Sequence, residues 1–329
     1  MNVCKNCQME IEDMRKAVRC SECGAHMHKD CIINSEGTYC DICFTIKEQE
    51  GTSEENGNGN IVIPDVIRRS YIETYKSCPF KFYMEVIKEI EPPNNIYVQL
   101  GRDIHKIVEN LCNNPSYRKE DMLYDFHNMW YNYNSELFES EEQKEKMYNR
   151  ALSSIDNVHK IVSEMPEPLC TEKNIQFGIG EGLPEISATM DRIDSSGNEL
   201  EIHDWKTGAV LVGKSLSSDL QAPLYIYGTQ QAYDMPVKRF TFHYLEDNKQ
   251  RVFEKQQDNL YICQVKKREY HVDLIEKIKE VQGIFSQIKR NNFNVPRETK
   301  SMYFTCKMCH LRQKGMCQGA EMESWKQYN

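Results

Sequence analysis

The sequence predicts an α/β protein: a mixed sheet flanked by helices, a helical cap ahead of it, and a small cysteine-rich module at the N-terminus. Three observations carry this. Residues 184–206 alternate apolar and polar side chains through Ala188-Thr-Met-Asp-Arg-Ile-Asp194, turn at Gly197-Asn198, and resume as Glu201-Ile-His-Asp-Trp-Lys206. That period of two marks a pair of antiparallel strands. Leu100, Ile104, Ile107, Val108 and Leu111 recur at helical spacing. Residues 4–43 hold four Cys/His pairs, too dense for an ordinary core of that size.

Three domains follow: a cysteine-rich module at 1–47, a linker at 48–62, and one large domain at 63–329. Residues 48–60 contain no apolar side chain and four acidic ones, the composition of a flexible connector. The large domain opens with a helix predicted over 70–90, with Ser70 as its cap. A second helix covers 97–113. Residues 119–164 lack glycine and proline and read as two long helices. Strands are predicted near 172–179, 184–194 and 199–206, then a helix over 217–232. Strands at 238–246 and 250–255 lead to a long helix over 260–290. No internal repeat is visible.

The hairpin also carries chemistry. It sets Asp191 and Asp204 on adjacent strands, with Lys206 two residues beyond the second. Side chains on a strand alternate faces, so Asp204 and Lys206 point one way while Trp205 points the other. Two carboxylates and an ammonium can hold a divalent cation, with water positions left open, against a phosphodiester. An isolated Asp-x-Lys triplet is ordinarily a solvated hairpin; its neighbours decide otherwise.

The stretch resembles the motifs of the PD-(D/E)xK nucleases, specifically the RecB-like branch, whose pattern runs Gly-x-x-Asp-Arg-x-Asp and then Asp-Tyr-Lys-Thr-Gly. Ala188 and Trp205 stand where that branch usually has Gly and Tyr. Upstream, Gly101-Arg-Asp-Ile-His105 resembles the helix whose histidine joins the metal site. Downstream, Gln221-Ala-Pro-Leu-Tyr225 resembles the Gln-x-x-x-Tyr helix beside it, and Glu172 stands where many members carry an accessory glutamate. The resemblance implies a restriction-endonuclease-like core. It also implies Mg²⁺ or Mn²⁺ held by His105, Asp191, Asp204 and the carbonyl of Trp205, with Lys206, Gln221 and Tyr225 completing the catalytic set. By the residues alone, His105 borders an apolar helical stripe and Gln221/Tyr225 form a core-edge pair.

Cysteine spacing makes a second argument. The chain begins Met-Asn-Val-Cys-Lys without an apolar leader and has no membrane-length run, so an intracellular, cytoplasmic setting with reduced thiols is expected. Of its 14 cysteines, 11 fall into two groups of ligand-like spacing, leaving Cys112, Cys170 and Cys263 as ordinary buried residues. The first group is Cys4-x2-Cys7, Cys20-x2-Cys23, His28-x2-Cys31 and Cys40-x2-Cys43, the ligand count for two Zn²⁺ ions, with His26 as a competing ligand. Its order resembles a PHD or RING-like cross-brace, which implies a protein-docking or purely structural module.

The second group joins Cys78, followed by Pro79, to Cys306-x2-Cys309-x7-Cys317. A lone upstream Cys-Pro and a distant three-cysteine cluster resemble the iron–sulfur RecB-like nucleases: CRISPR-associated RecB-like exonucleases and AddB-type subunits. That implies a [4Fe–4S] cluster stapling a loop of over 200 residues. The final gap is two residues longer than usual in those relatives. Zinc on Cys306, Cys309, Cys317 and His310 is the alternative.

The net charge of −9 does not favour nucleic acid globally, although Arg68-Arg69, Lys206, Lys214, Lys238-Arg239, Lys266-Lys267-Arg268 and Lys289-Arg290 could line a groove. Some of the 18 tyrosines could stack on single-stranded bases. The expected activity is a metal-dependent DNA exonuclease acting on single strands or ends. A silent nuclease-fold subunit that binds DNA ends, recruited through the zinc module, is the rival; the intact Asp191, Asp204 and Lys206 oppose it. No phosphate-binding Gly-x4-Gly-Lys-Ser/Thr loop occurs, so no ATPase is expected.

Overall fold

The computed structural model of the chain describes residues 17–19, 26–27, 62–293 and 306–317. Residues 63–293 belong to one compact unit. Outside it lie a short antiparallel ladder, β1 (Val18–Arg19) with β2 (His26–Met27), and the segment 306–317.

The compact unit is built on eight strands: β3 (Val66–Arg68), β4 (Cys170–Phe177), β5 (Glu185–Ser196), β6 (Glu199–Lys206), β7 (Val237–Tyr244), β8 (Lys249–Gln257), β9 (Leu260–Val265) and β10 (Arg268–Asp273). Along the sheet the order is β10-β9-β8-β7-β6-β5-β3, with β4 on the opposite edge of β5. The sheet is mixed: β3 runs parallel to β5 and β6 parallel to β7, while the remaining pairs are antiparallel.

Helices cover both faces. α1 (Arg69–Ser77) and the short α2 (Pro79–Phe82) follow β3; α3 (Ile96–Asn113), α4 (Lys119–Tyr131) and α5 (Glu141–Ser163) form the cap. α6 (Lys214–Ser218) and α7 (Gln221–Tyr233) bridge β6 to β7, and α8 (Leu274–Lys289) closes the unit. Two apolar clusters result. One packs α1, α7 and α8 against the sheet, and the other joins α3, α4 and α5 to Trp205 and Leu245. A mixed sheet with helices on both sides is the predicted fold class. Among the described residues no helix is long and apolar enough to cross a membrane.

Two predicted helices are corrected. The expected helix over 70–90 breaks at Cys78, which is extended (φ −161°) as residues preceding proline prefer, before α2 and a π-turn at Tyr83–Ile87. Its cap is Arg68 rather than Ser70, with no side-chain hydrogen bond. The expected helix over 260–290 begins only at Leu274, capped by Asp273; residues 260–273 form the hairpin β9–β10. Lys266 takes the left-handed conformation (φ 57°) that a two-residue hairpin turn requires, without the glycine that would have announced it. One true glycine requirement lies on α7: a Cβ at Gly228 would sit 2.4 Å from the Phe177 ring, so its absence lets the helix close onto β4.

Candidate metal centre

The site forms where β5 and β6 part. The strands pair from Ser196/Glu199 to Arg192/His203 and then diverge, β6 continuing beside β7 through Lys206. The edge of β5 that β6 leaves is next taken by β3, at residues 185–187, so Asp191 stands in the gap. Its Oδ2 accepts a hydrogen bond from the Trp205 amide at 2.7 Å, spanning the fork.

Strand alternation slips here. Ile186, Ala188 and Met190 enter the main apolar cluster at even positions, but the next to do so is Ile193. Opposite Asp191 in the β4–β5 register stands Glu172, at φ 46°. A left-handed non-glycine residue inside a strand is uncommon and concentrates at functional sites. It turns the Glu172 carboxylate inward: Glu172, Asp191 and His105 place one ligand atom each within 4.8 Å of one another. His105 comes from α3, its Nδ1 3.5 Å from Asp191 Oδ2.

Asp204 and Lys206 share a face as strand geometry requires, with Lys206 Nζ 2.7 Å from Asp204 Oδ2. Gln221, at the start of α7, joins them: its Oε1 accepts from Lys206 Nζ at 2.8 Å and its Nε2 donates to Asp204 Oδ1. One turn later Tyr225 is buried, its ring 5.7 Å from the Arg69 guanidinium. The Trp205 side chain points the opposite way, into the cap cluster, and is 1% exposed.

Electrostatics register three carboxylates facing two cations. Burial pushes Glu172 up to about 7, aided by the neighbouring Asp191 charge. Burial likewise lifts Asp204 to about 6 despite Lys206, with Asp191 adding to the rise. Burial opposes a charge on His105, but the Asp191 carboxylate overcomes it and carries the imidazole to about 9. Burial also opposes ionisation of Asp191, yet His105, Lys206 and the Trp205 amide hold its carboxyl below the usual range. Imidazole nitrogen and carboxylate oxygens are a donor set suited to Mn²⁺ or Mg²⁺.

All seven residues expected around the Mg²⁺/Mn²⁺ site, His105, Asp191, Asp204, Trp205, Lys206, Gln221 and Tyr225, thus lie around one fork. Glu172, the faintest signal in the sequence, stands at its centre. Two positioning carboxylates had no such signal: Asp219 Oδ2 accepts from the Ala222 amide at 2.9 Å, and Glu73 Oε1 from the Leu220 amide at 3.1 Å, together fixing the start of α7.

The cysteine groups stand differently. The eight expected zinc ligands, Cys4, Cys7, Cys20, Cys23, His28, Cys31, Cys40 and Cys43, lie outside the described residues. His26 is described, and its Nε2 accepts from Arg19 Nε at 3.0 Å. Cys78 caps α2, its Sγ accepting from the Lys81 amide at 3.4 Å. Cys306 and His310 are buried, and α9 (His310–Gln313) follows Cys309.

A search among curated proteins finds no match to this chain. A family model, that of the PD-(D/E)XK nuclease superfamily, matches residues 69–317, a span that starts beside α1 and takes in the whole fork. The chain therefore belongs to the PD-(D/E)XK nuclease superfamily.

Proposed function

We propose that the protein is a Mg²⁺- or Mn²⁺-dependent deoxyribonuclease of the RecB-like branch, an exonuclease acting on single-stranded DNA or DNA ends. The observation that carries this reading is the gathering of His105, Glu172 and Asp191 within 4.8 Å, beside an Asp204–Lys206 pair at 2.7 Å. His105, Asp191, Asp204 and the Trp205 carbonyl hold the cation, and Glu172 joins them. Bound there, the cation supplies Lewis-acid polarisation of the phosphate and acidifies a water. Lys206, steadied by the Gln221 amide, orients the attacking water and offsets negative charge growing on the phosphate. The Trp205 amide keeps Asp191 aimed across the fork, and Tyr225 walls the side next to α7.

Two further assignments rest on the cysteine groups and on their resemblance to iron–sulfur RecB-like nucleases and to cross-brace zinc modules. Cys78, Cys306, Cys309 and Cys317 ligate a structural [4Fe–4S] cluster, and the N-terminal eight hold two Zn²⁺ in a module with a protein-docking or purely structural role. The test begins with anaerobically purified protein and end-labelled single- and double-stranded DNA, with Mg²⁺ or Mn²⁺ and Lys206→Ala in parallel. Cleavage by the wild type alone establishes the nuclease, and the order of label release its polarity. Tight binding without cleavage under either metal overturns the catalytic reading in favour of an end-binding subunit. Metal analysis of the same preparation should find iron, sulfide and two zinc per chain. A Cys309→Ser variant should lose the brown chromophore, and its persistence would remove that cysteine from the cluster.

A further inference from the structure

Arg69 is not among the residues the nuclease reading uses, yet it stands in the wall of the site. It begins α1, and its guanidinium lies 5.7 Å from the centroid of the Tyr225 ring. Tyr225 follows Gln221 by one helical turn, about 6 Å along the axis, and Gln221 touches both Lys206 and Asp204. Asp219, on the same wall, feels the charges of both Arg69 and Lys206. The guanidinium is therefore one short step from the reacting centre.

The Tyr225 hydroxyl engages one part of the guanidinium through a side-chain hydrogen bond, and no carboxylate claims the rest. Glu73 and Asp219 are the carboxyls close enough to feel it, and each is turned to a backbone amide at the start of α7. Arg69 Nε is buried and has no hydrogen-bond partner. A buried guanidinium N–H without an acceptor is costly unless something supplies one. Guanidinium is a planar fork suited to two oxygens of one phosphate, and the Tyr225 contact holds it in the wall of the site. The adjacent Arg68 is exposed and sits over the Tyr71 ring at 5.7 Å.

Resting on the nuclease reading above, we propose that Arg69 is a substrate-binding residue. It grips the phosphate next to the scissile one on the strand being cut and so sets that strand's register over the fork. A phosphate at this point completes the hydrogen bonding of the guanidinium, and the spacing from Gln221 to Tyr225 matches one nucleotide step along an extended strand. The contact is made before and during cleavage alike, so it acts on binding more than on turnover.

The test is binding of a fluorescent single-stranded oligonucleotide in Ca²⁺, which occupies carboxylate sites without supporting the chemistry. Anisotropy is read across a salt series for the wild type, Arg69→Gln, Arg69→Lys and Arg68→Gln, with cleavage kinetics in Mn²⁺ alongside. Arg69→Gln should weaken binding about tenfold and reduce the slope of log K against log salt by about 0.7, the loss of one phosphate contact on a single strand. KM should rise about tenfold, with kcat within about threefold of wild type. Arg69→Lys should keep the salt slope while losing part of the affinity, because it keeps the charge and loses the fork; this also separates lost contact from misfolding. Arg68→Gln should change affinity by less than about twofold. A wild-type salt slope in Arg69→Gln, in a protein that cleaves DNA, overturns this inference alone. Wild-type protein that neither binds nor cuts DNA overturns it together with the nuclease reading.

Discussion

Two polar clusters grow from the same pair of strands, and they are opposites. At the fork, His105, Glu172, Asp191, Asp204 and Lys206 set three carboxylates against two cations, and both Glu172 and Asp204 hold protons more tightly than usual. Beside it on the same strands, Arg192 Nε meets Asp194 Oδ1 at 2.8 Å and Asp194 Oδ2 lies 3.3 Å from His203 Nε2. His203 Nδ1 meets His243 Nε2 at 3.0 Å, and His243 Nδ1 lies 3.3 Å from Gln250 Nε2. In this second cluster each charge has its partner, Arg192 reaches the Pro166 carbonyl as well, and the His243 ring packs tilted against Trp205 at 4.7 Å between ring centres. A closed network fixes structure, and an excess of buried carboxylate awaits a cation. Trp205 joins the two, its side chain packed on the network and its amide holding Asp191.

The sharpest break between the clusters is expected from Lys206→Ala. It should lower kcat by about 10²–10³-fold, the scale on which a single charge stabiliser at the transition state acts, and cost less stability than Asp194→Ala, because the Lys206 side chain is partly exposed. Measured cleavage rates and a guanidinium titration of one preparation decide it; a large loss of stability would make Lys206 structural. The mirror experiment is Asp194→Ala, which strands Arg192 (1% exposed) without its carboxylate. Removing one partner of a buried pair costs about 3–5 kcal/mol. The unfolding midpoint should fall accordingly, and an Asp194→Ala protein as stable as wild type would refute the structural role of the network.

Their pH responses should run in opposite directions. At the fork, folding raises Glu172 from 4.5 to about 7, Asp204 from 3.8 to about 6 and His105 from 6.5 to about 9. A raised folded value means that the native state binds protons more tightly, so these groups favour folding at low pH and lose that contribution as pH climbs through about 4 to 9. His243 is the reverse, because burial holds it near 3 against an ordinary 6.5. It stays neutral in the native state, so stability falls as pH drops from 6.5 towards 3. In metal-free protein, Glu172→Gln should therefore flatten the loss of stability between pH 5 and 7, whereas His243→Gln should flatten the acid limb. Thermal unfolding across pH reads both, and equal slopes in variants and wild type would contradict the assignment. Adding Mn²⁺ should stabilise the wild type more than Glu172→Gln.

What the sequence revealed of these clusters follows from the range of the forces involved. Asp204 and Lys206 were legible because strand alternation is local, and the shared face was found as expected. His105 carries no such signal, since it only borders the stripe of Leu100, Ile104 and Val108; its place was read from family resemblance. The weight of Glu172 was hidden because it depends on register across β4–β5 and on one left-handed residue, neither written in any short pattern. The His203–His243 contact joins residues 40 positions apart on neighbouring parallel strands, so only topology brings them together. The hairpin at 260–273 reads as helix in the sequence because Lys266-Lys267 turns without glycine and the charged residues around it obscure the alternation.

The smallest predicted effect tests whether the fork responds to geometry alone. Gly101 lies inside α3, one turn before His105, and a Cβ there would stand 3.2 Å from Thr207 Oγ1, just past Lys206. Alanine should gain up to about 1 kcal/mol of helix propensity over glycine, offset by this tight contact, so Gly101→Ala should shift stability by less than about 1 kcal/mol either way. The contact does not vanish, however: it pushes the 206–208 turn away from the helix that carries His105, parting the two halves of the site by a few tenths of an ångström. A fall of a few-fold in kcat/KM at unchanged stability is expected, since catalysis depends on alignment finer than folding requires. Removing the obstructing atom in Gly101→Ala/Thr207→Ala should restore the rate. If the double variant stays impaired, the α3–Lys206 spacing is not what the glycine protects. The closed network offers no comparable variant, because any shift there breaks a buried hydrogen bond and appears first as lost stability.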